Sequence, residues 1–252
     1  MVTLGTAFDT FNRKLSKFDN KTYNAKISNI IKLLTKTINP AVPITHIVSA
    51  GSNSRGVAIP GKSDVDILVV IGNRLPSGLP DKVLGSIDKA IHTQITKGGI
   101  SAYVGNHAIY FPHASSSVDI LLAYGKGPYY IPERDNNQWI KTDPDTLKVN
   151  LNTFNKNGRM RVKPTIRFFK SWKTTSGWDQ SSFDLEMKIC NIFANDDRLK
   201  NLTYSQILEI VSDQLNLKKL HSSMQIANRY SAEGQDDKAI REMKTVFGPR
   251  FG

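Results

Sequence analysis

The chain has a single cysteine, Cys190, among its 252 residues. That count excludes an internal disulfide and a cysteine-rich zinc site, and a lone thiol in a helical apolar pattern reads as a small core residue. Long apolar runs are missing too. The longest near the centre of the chain is Ile67 to Ile71, far short of a membrane span, so no membrane partner is expected. The N-terminus, MVTLGTAFDTF, carries Asp9 and has no signal-like apolar stretch, so an uncleaved cytoplasmic protein is expected. No internal repeat, coiled coil or low-complexity tract is visible. Acidic residues are scarce: 22 Asp and Glu stand against 34 Lys and Arg. The resulting net charge of +12 favours anionic partners without choosing among nucleic acid, membrane surface and nucleoside triphosphate. The basic residues are spread along the chain, which also fits a diffuse positive surface.

Hydrophobic residues make up 39%, ordinary for a globular protein with one large or two small domains. Residues 3–38 read as helical, with Phe8, Phe11, Leu15 and Phe18 on one stripe and a break at Asp19-Asn20. Asn39-Pro40 ends that stretch. A strand is expected over Ile44–Ala50, a helix from Asp81 to about Ile95, and a hairpin from Ile100–Val104 and His107–Phe111 turned at Gly105-Asn106. Tyr124–Trp139, rich in Gly, Pro and aromatics, reads as a loop. Beyond it the pattern is helical, with helices expected at about 145–156, 160–174, 182–194, 204–216 and 235–247. The fold class is therefore α+β: a mixed-sheet lobe over residues 1–144, a helical lobe over 145–252, and a cleft between them.

The chain is organised around Val48–Val70, VSAGSNSRGVAIPGKSDVDILVV. A strand enters a small-residue turn at Gly51-Ser52, and a second strand opens with Asp64-Val65-Asp66. Side chains alternate across a strand, so Asp64 and Asp66 share a face. Two neighbouring carboxylates repel unless a cation offsets them. Magnesium, which takes oxygen ligands through one or two carboxylates plus substrate phosphates, suits the pair better than zinc. Gly51 lets backbone approach a polyphosphate, and Ser52 offers a hydroxyl and an amide. A bare Asp-x-Asp is common in surface turns; the preceding Gly-Ser sets this one apart.

Gly51-Ser52, eleven intervening residues and Asp64-Val65-Asp66 between apolar flanks resemble the signature of polymerase-beta-like nucleotidyltransferases. Further on, Trp139–Pro144, Arg167–Trp172 and Ser182–Glu186 follow the order seen in CD-NTases, the bacterial relatives of cyclic GMP-AMP synthase and oligoadenylate synthase. The resemblance runs from the N-terminal helices to about Phe193. It implies a third carboxylate, Asp119, at the head of the run Val118–Leu122. It makes Asp64, Asp66 and Asp119 the catalytic residues and the metal ligands, for magnesium or manganese, with Asp119 taking the proton of the attacking hydroxyl. Gly51, Ser52, Lys170 and Ser182 become the nucleotide-binding residues, Lys170 and Ser182 on the outer phosphates. Trp172 and Phe183 read as core, and Tyr129 and Tyr130 fit either base stacking or packing.

The implied activity is template-independent synthesis of a cyclic or linear oligonucleotide second messenger from ATP and GTP, in bacterial anti-phage signalling through a downstream messenger-binding effector. Weak nucleic-acid binding is expected from the charge. Two alternatives stay open: a tRNA or RNA nucleotidyltransferase, and an inactive nucleotide- or RNA-binding protein. The chain is shorter than many CD-NTases, and it lacks the Cys/His zinc insertion of cyclic GMP-AMP synthase.

Overall fold

The computed structural model describes residues 2–17, 28, 29, 31, 32, 35, 36, 42–97, 101–105, 108–111, 117–133 and 136–252. The chain divides into two compact units. One comprises Met1–Lys17, Gly56–Pro60 and Val149–Gly252; the other comprises Phe18–Arg55 and Gly61–Lys148.

The second unit is built on a seven-stranded mixed sheet. Its strands are β1 (His46–Ser49), β2 (Val65–Gly72), β3 (Tyr103–Gly105), β4 (Ala108–Phe111), β5 (Val118–Gly125), β6 (Tyr129–Pro132) and β7 (Trp139–Thr142). The order is β1-β2-β5-β4-β3, with β6 pairing β5 and β7. Only β2 and β5 run parallel; the other pairs are antiparallel. Alternation sorts β2 onto two apolar faces, which is why Ile67–Ile71 reads as continuous. Val65, Ile67, Val69 and Ile71 pack with Ile120, Leu122 and the buried side of the helix Pro80–Lys97, contributed by Leu84, Ile91 and Ile95. Leu68 and Val70 take the other face with Ala50, Ala123 and Tyr129.

The first unit is helical. Thr3 caps α1 (Leu4–Ser16) through a capping box with Thr6, satisfying amides that the first turn would leave open. After α1 come Gly51–Ser54 (α2) and Pro80–Lys97 (α3), both in the sheet unit, and Pro144–Asn157 (α4), in which the boundary between units falls. Val162–Ser176 (α5), Ser182–Asn195 (α6), Tyr204–Gln214 (α7), Lys218–Ala232 (α8) and Asp236–Phe247 (α9) complete the helical unit, with a 3-10 turn at Asp197–Asn201. Its core is aromatic. Phe8 meets Phe168 edge-on at 5.4 Å and Phe251 at 4.8 Å, and Phe11 packs on Phe168, Phe247 and Phe251.

The α+β class is present, as are the helices expected from Asp81 and beyond residue 145, a helix over Leu4–Ser16, and a hairpin of Tyr103–Gly105 with Ala108–Phe111. The differences have local causes. Helix α1 groups with the helical unit, not with the sheet, because its phenylalanines lie among those of α5 and α9. Tyr124–Trp139 is not a loop: Tyr124 and Gly125 extend β5, and β6 and β7 are formed. Helix α8 has no counterpart among the expected helices. Much of the helix expected over residues 19–38, together with Asn39-Pro40 and Asn106, lies outside the described residues.

Candidate active site

The turn at Gly51-Ser52 is locked to β2 by its backbone. Ala50 N–H donates to the Asp66 carbonyl at 2.9 Å, and Ser54 Oγ donates to the Gly51 carbonyl at 3.0 Å. The chain then forms the single helical turn α2, with Ser52 half-buried. Gly51 has φ +64°, and a Cβ added there would stand 1.6 Å from Asp66 Oδ2 and 2.4 Å from its Cγ. The Asp66 carboxylate thus occupies the space that any larger residue would fill. Glycine is required here by conformation and by room.

The parallel pairing sets Asp66 directly beside Asp119. Neighbours in register point to the same side of a sheet, so both carboxylates leave the face shared by Leu68, Val70 and Ala123. Both residues are half-buried, and Oδ1 of Asp119 is a buried atom. Asp64 is exposed and precedes the strand; its Oδ1 accepts a hydrogen bond from Ser117 Oγ. Backbone closes the same corner, Val65 N–H donating to the Ser117 carbonyl at 2.9 Å. The structure therefore brings Asp66 and Asp119 together and turns Asp64 toward Ser117. Among the described residues no group of three or more His, Cys, Asp or Glu side chains is gathered as a metal centre.

The donor set nonetheless fits a hard divalent cation. It is all oxygen, two carboxylates stand side by side at the heads of parallel strands, and repulsion between them is what a cation relieves. Ser117, which fixes the Asp64 carboxylate, was not singled out from sequence; its only signal is its place immediately before Val118.

The other expected residues lie in the helical unit. Lys170, expected on the outer phosphates, is 4% exposed, and its Nζ is 2.5 Å from Glu186 Oε1. The reason is the register of two helices, which puts the buried side of α5 against Glu186 on the buried side of α6. Ser182 is exposed and is the first residue of α6; the cap is Ser181, whose Oγ accepts from Asp184 N–H at 3.3 Å. Phe183 is not core but 40% exposed, whereas Trp172 packs partly buried against the core and Cys190 is buried. Tyr129 is a packing residue, buried on the sheet and 3.2 Å from His46 Nε2 through its hydroxyl. Burial, with Asp145 and Asp143 nearby, raises its phenol pKa.

Three solved structures share the fold over most of the chain. The ATP-bound CdnC of Escherichia coli MS115-1 has a TM-score of 0.70 at 13% identity, covering 100% of this chain and 99% of that one. The apo form of Vibrio cholerae DncV has a TM-score of 0.61 at 14% identity, covering 82% and 69%. The STING-associated CdnE c-di-GMP synthase of Capnocytophaga granulosa has a TM-score of 0.59 at 19% identity, covering 98% and 77%. At the level of sequence, no curated protein matches the chain. Residues 2–155, which include Gly51, Ser52 and all three aspartates, match the family model of the Second Messenger Oligonucleotide or Dinucleotide Synthetase domain. The chain belongs to that SMODS family of nucleotidyltransferases.

Proposed function

We propose that this second-messenger nucleotidyltransferase joins ATP, with GTP as a second substrate, into a short cyclic or linear oligonucleotide, using Asp64, Asp66 and Asp119 with magnesium. The observation that carries the reading is the in-register pair Asp66 and Asp119 with Gly51 held against Asp66. Magnesium, or manganese in its place, would be held by Asp66, Asp119 and Asp64, and when bound it supplies Lewis acidity at the attacking hydroxyl and charge compensation at the departing pyrophosphate. Asp119 accepts the proton of the acceptor hydroxyl, directly or through water. Ser52 donates its hydroxyl to triphosphate oxygens. Ser182 offers an exposed hydroxyl in the first turn of α6 for the outer phosphates. Lys170 serves those phosphates only by exchanging the Glu186 carboxylate for a phosphate oxygen. The product acts on a messenger-binding effector in anti-phage signalling.

The test is incubation with the four triphosphates and magnesium, with and without RNA, followed by mass spectrometry. Oligonucleotide and pyrophosphate are expected from triphosphates alone, with losses of at least ~100-fold in Asp66→Asn and Asp119→Asn at unchanged melting temperature. Product seen only with RNA, with label entering the RNA, would establish a tailing enzyme. An absence of product under all these conditions calls for a nucleotide-bound crystal structure, which separates an enzyme awaiting an activator from an inactive binding protein.

A further inference from the structure

The stretch that links the two halves of the motif is held by the helices. Gly51-Ser52 and Asp64-x-Asp66 belong to the sheet unit, but Gly56–Pro60 between them belongs to the helical unit. Val57, Ala58 and Ile59 are buried, and Val57 and Ile59 share the hydrophobic cluster of Phe8 and Phe168. One side chain ties the backbone of this segment in place. Arg167 Nη1 donates to the Gly56 carbonyl at 3.0 Å, and Nη2 donates to Asn12 Oδ1 at 2.9 Å. A single guanidinium on α5 therefore joins α1 to the motif's linking segment.

Its surroundings are unusual for an arginine. It is 9% exposed, and both acceptors are neutral. Among the described residues no carboxylate pairs with it and Nε has no acceptor. Burial lowers its pKa from the ordinary value. A buried cation without a counter-charge is costly, and an apolar side chain would fill the volume at less expense. What an apolar side chain lacks is a planar fork of donors that fixes two oxygens at once.

We propose that Arg167, oriented by Asn12, is a positioning residue: by fixing the Gly56 carbonyl it sets the backbone on which Ser52 and Asp64 stand, and so controls triphosphate binding from the helical unit. Ser52 is four residues before Gly56, and Asp64 is four residues after Pro60. Slack in the segment reaches both within that length. Gly56 has φ +72°, a left-handed conformation that glycine adopts without steric cost. The proposal rests on the nucleotidyltransferase reading, since it assigns Ser52 and Asp64 to the triphosphate site.

The full chain is tested as Arg167→Met, Arg167→Lys and Asn12→Asp. Three quantities are read: melting temperature, amide hydrogen exchange over residues 53–59, and KM and kcat for ATP. Arg167→Met removes both donors together with the buried charge. Faster exchange over 53–59 is expected, with KM raised about tenfold, about 1.4 kcal/mol, the scale of ordering one backbone residue. The change in kcat should stay below about threefold, because no group on the reacting atoms is altered. Arg167→Lys keeps one donor and should fall between. Asn12→Asp supplies the missing counter-charge and should slow exchange and lower KM. Unchanged KM in Arg167→Met, with or without faster exchange, would overturn the proposal while leaving the nucleotidyltransferase reading intact. Should Arg167→Met fail to fold, unchanged KM and exchange in Asn12→Asp would overturn it. A wild-type protein that binds no ATP overturns the reading first and the proposal with it.

Discussion

Gly51 and Lys170 show how much one atom's neighbourhood decides. In Gly51→Ala the new methyl would stand 1.6 Å from Asp66 Oδ2, so either the carboxylate or the turn must move. The left-handed backbone at φ +64° adds roughly 1–2 kcal/mol of strain. We expect product formation to fall at least ~100-fold while melting drops by only a few degrees; near-normal activity would show that Asp66 tolerates displacement. Lys170 is expected to behave in the opposite way. Its ion pair with Glu186 is buried on both sides, with side-chain exposures of 5% and 3%. Lys170→Ala leaves a carboxylate buried without its cation, at a cost of about 3–5 kcal/mol. Replacing the pair together, Lys170→Met with Glu186→Leu, should recover most of that stability, as denaturant midpoints would reveal. A Lys170→Ala protein of wild-type stability but poor triphosphate use would instead return the ammonium to the phosphates. Burial, with Glu186 adding to it, pushes the Cys190 thiol up to about 11, which keeps the proton on a buried core cysteine near neutral pH.

Among the elements, helix α9 is tied to α1 by one carboxylate. Asp236 accepts Leu4 N–H at 3.0 Å and Ser231 Oγ–H at 2.7 Å, and the Leu4 amide is the main cause that holds its carboxyl below the ordinary range. A depressed folded-state pKa contributes stability that is fully present above the unfolded value, about 3.9, and is lost as pH falls through the folded value. The stability gap between the wild type and Asp236→Asn should therefore be constant from about pH 5 to pH 7 and shrink below about pH 4. A gap independent of pH in urea titrations would remove the ionised carboxylate from the account. Which elements were legible from sequence follows the same logic of local against distant causes. Strands β2 and β5 announce themselves because their own residues are apolar on both faces, and Asp66 and Asp119 stand out against those runs. Strands β6 and β7 exist through pairing with β5 and each other, and their four-residue sequences, YYIP and WIKT, carry no period of their own. Helix α8 buries only Leu220, Met224 and Ala227, a narrow stripe in KKLHSSMQIANRYSA that ends on alanine. At the site, the place of Asp66 on a strand face was legible from alternation, whereas Asp64 precedes the strand and alternation does not reach it. The partners of Lys170 and Asp64 were not legible, because Glu186 and Ser117 reach them through tertiary packing.

For the whole molecule, the open question is what the charge of +12 and the sequence pI near 9.7 serve. Among the described residues no helix is long and apolar enough to cross a membrane, so the charge does not flank a helical span there. A basic surface attracts any polyanion, and binding to a nucleic-acid chain releases condensed counterions in proportion to the phosphates neutralised. For about four phosphates of single-stranded RNA, the slope of about −0.7 per phosphate predicts a loss of roughly 50-fold in affinity between 50 and 200 mM salt. A free triphosphate has no polymer atmosphere to release, so its binding is weakened mainly by ordinary screening, in which the Debye length halves from about 14 to about 7 Å over that range. The two dependences can therefore be separated in one titration. If the chain makes its messenger without a template, RNA binding should collapse across this interval while oligonucleotide synthesis from ATP changes by less than about fivefold. Filter binding of a labelled RNA and product yield by mass spectrometry, measured in the same buffers, provide both curves. Parallel loss of the two would mean that polynucleotide takes part in the reaction, and the basic surface would then be the acceptor's binding site.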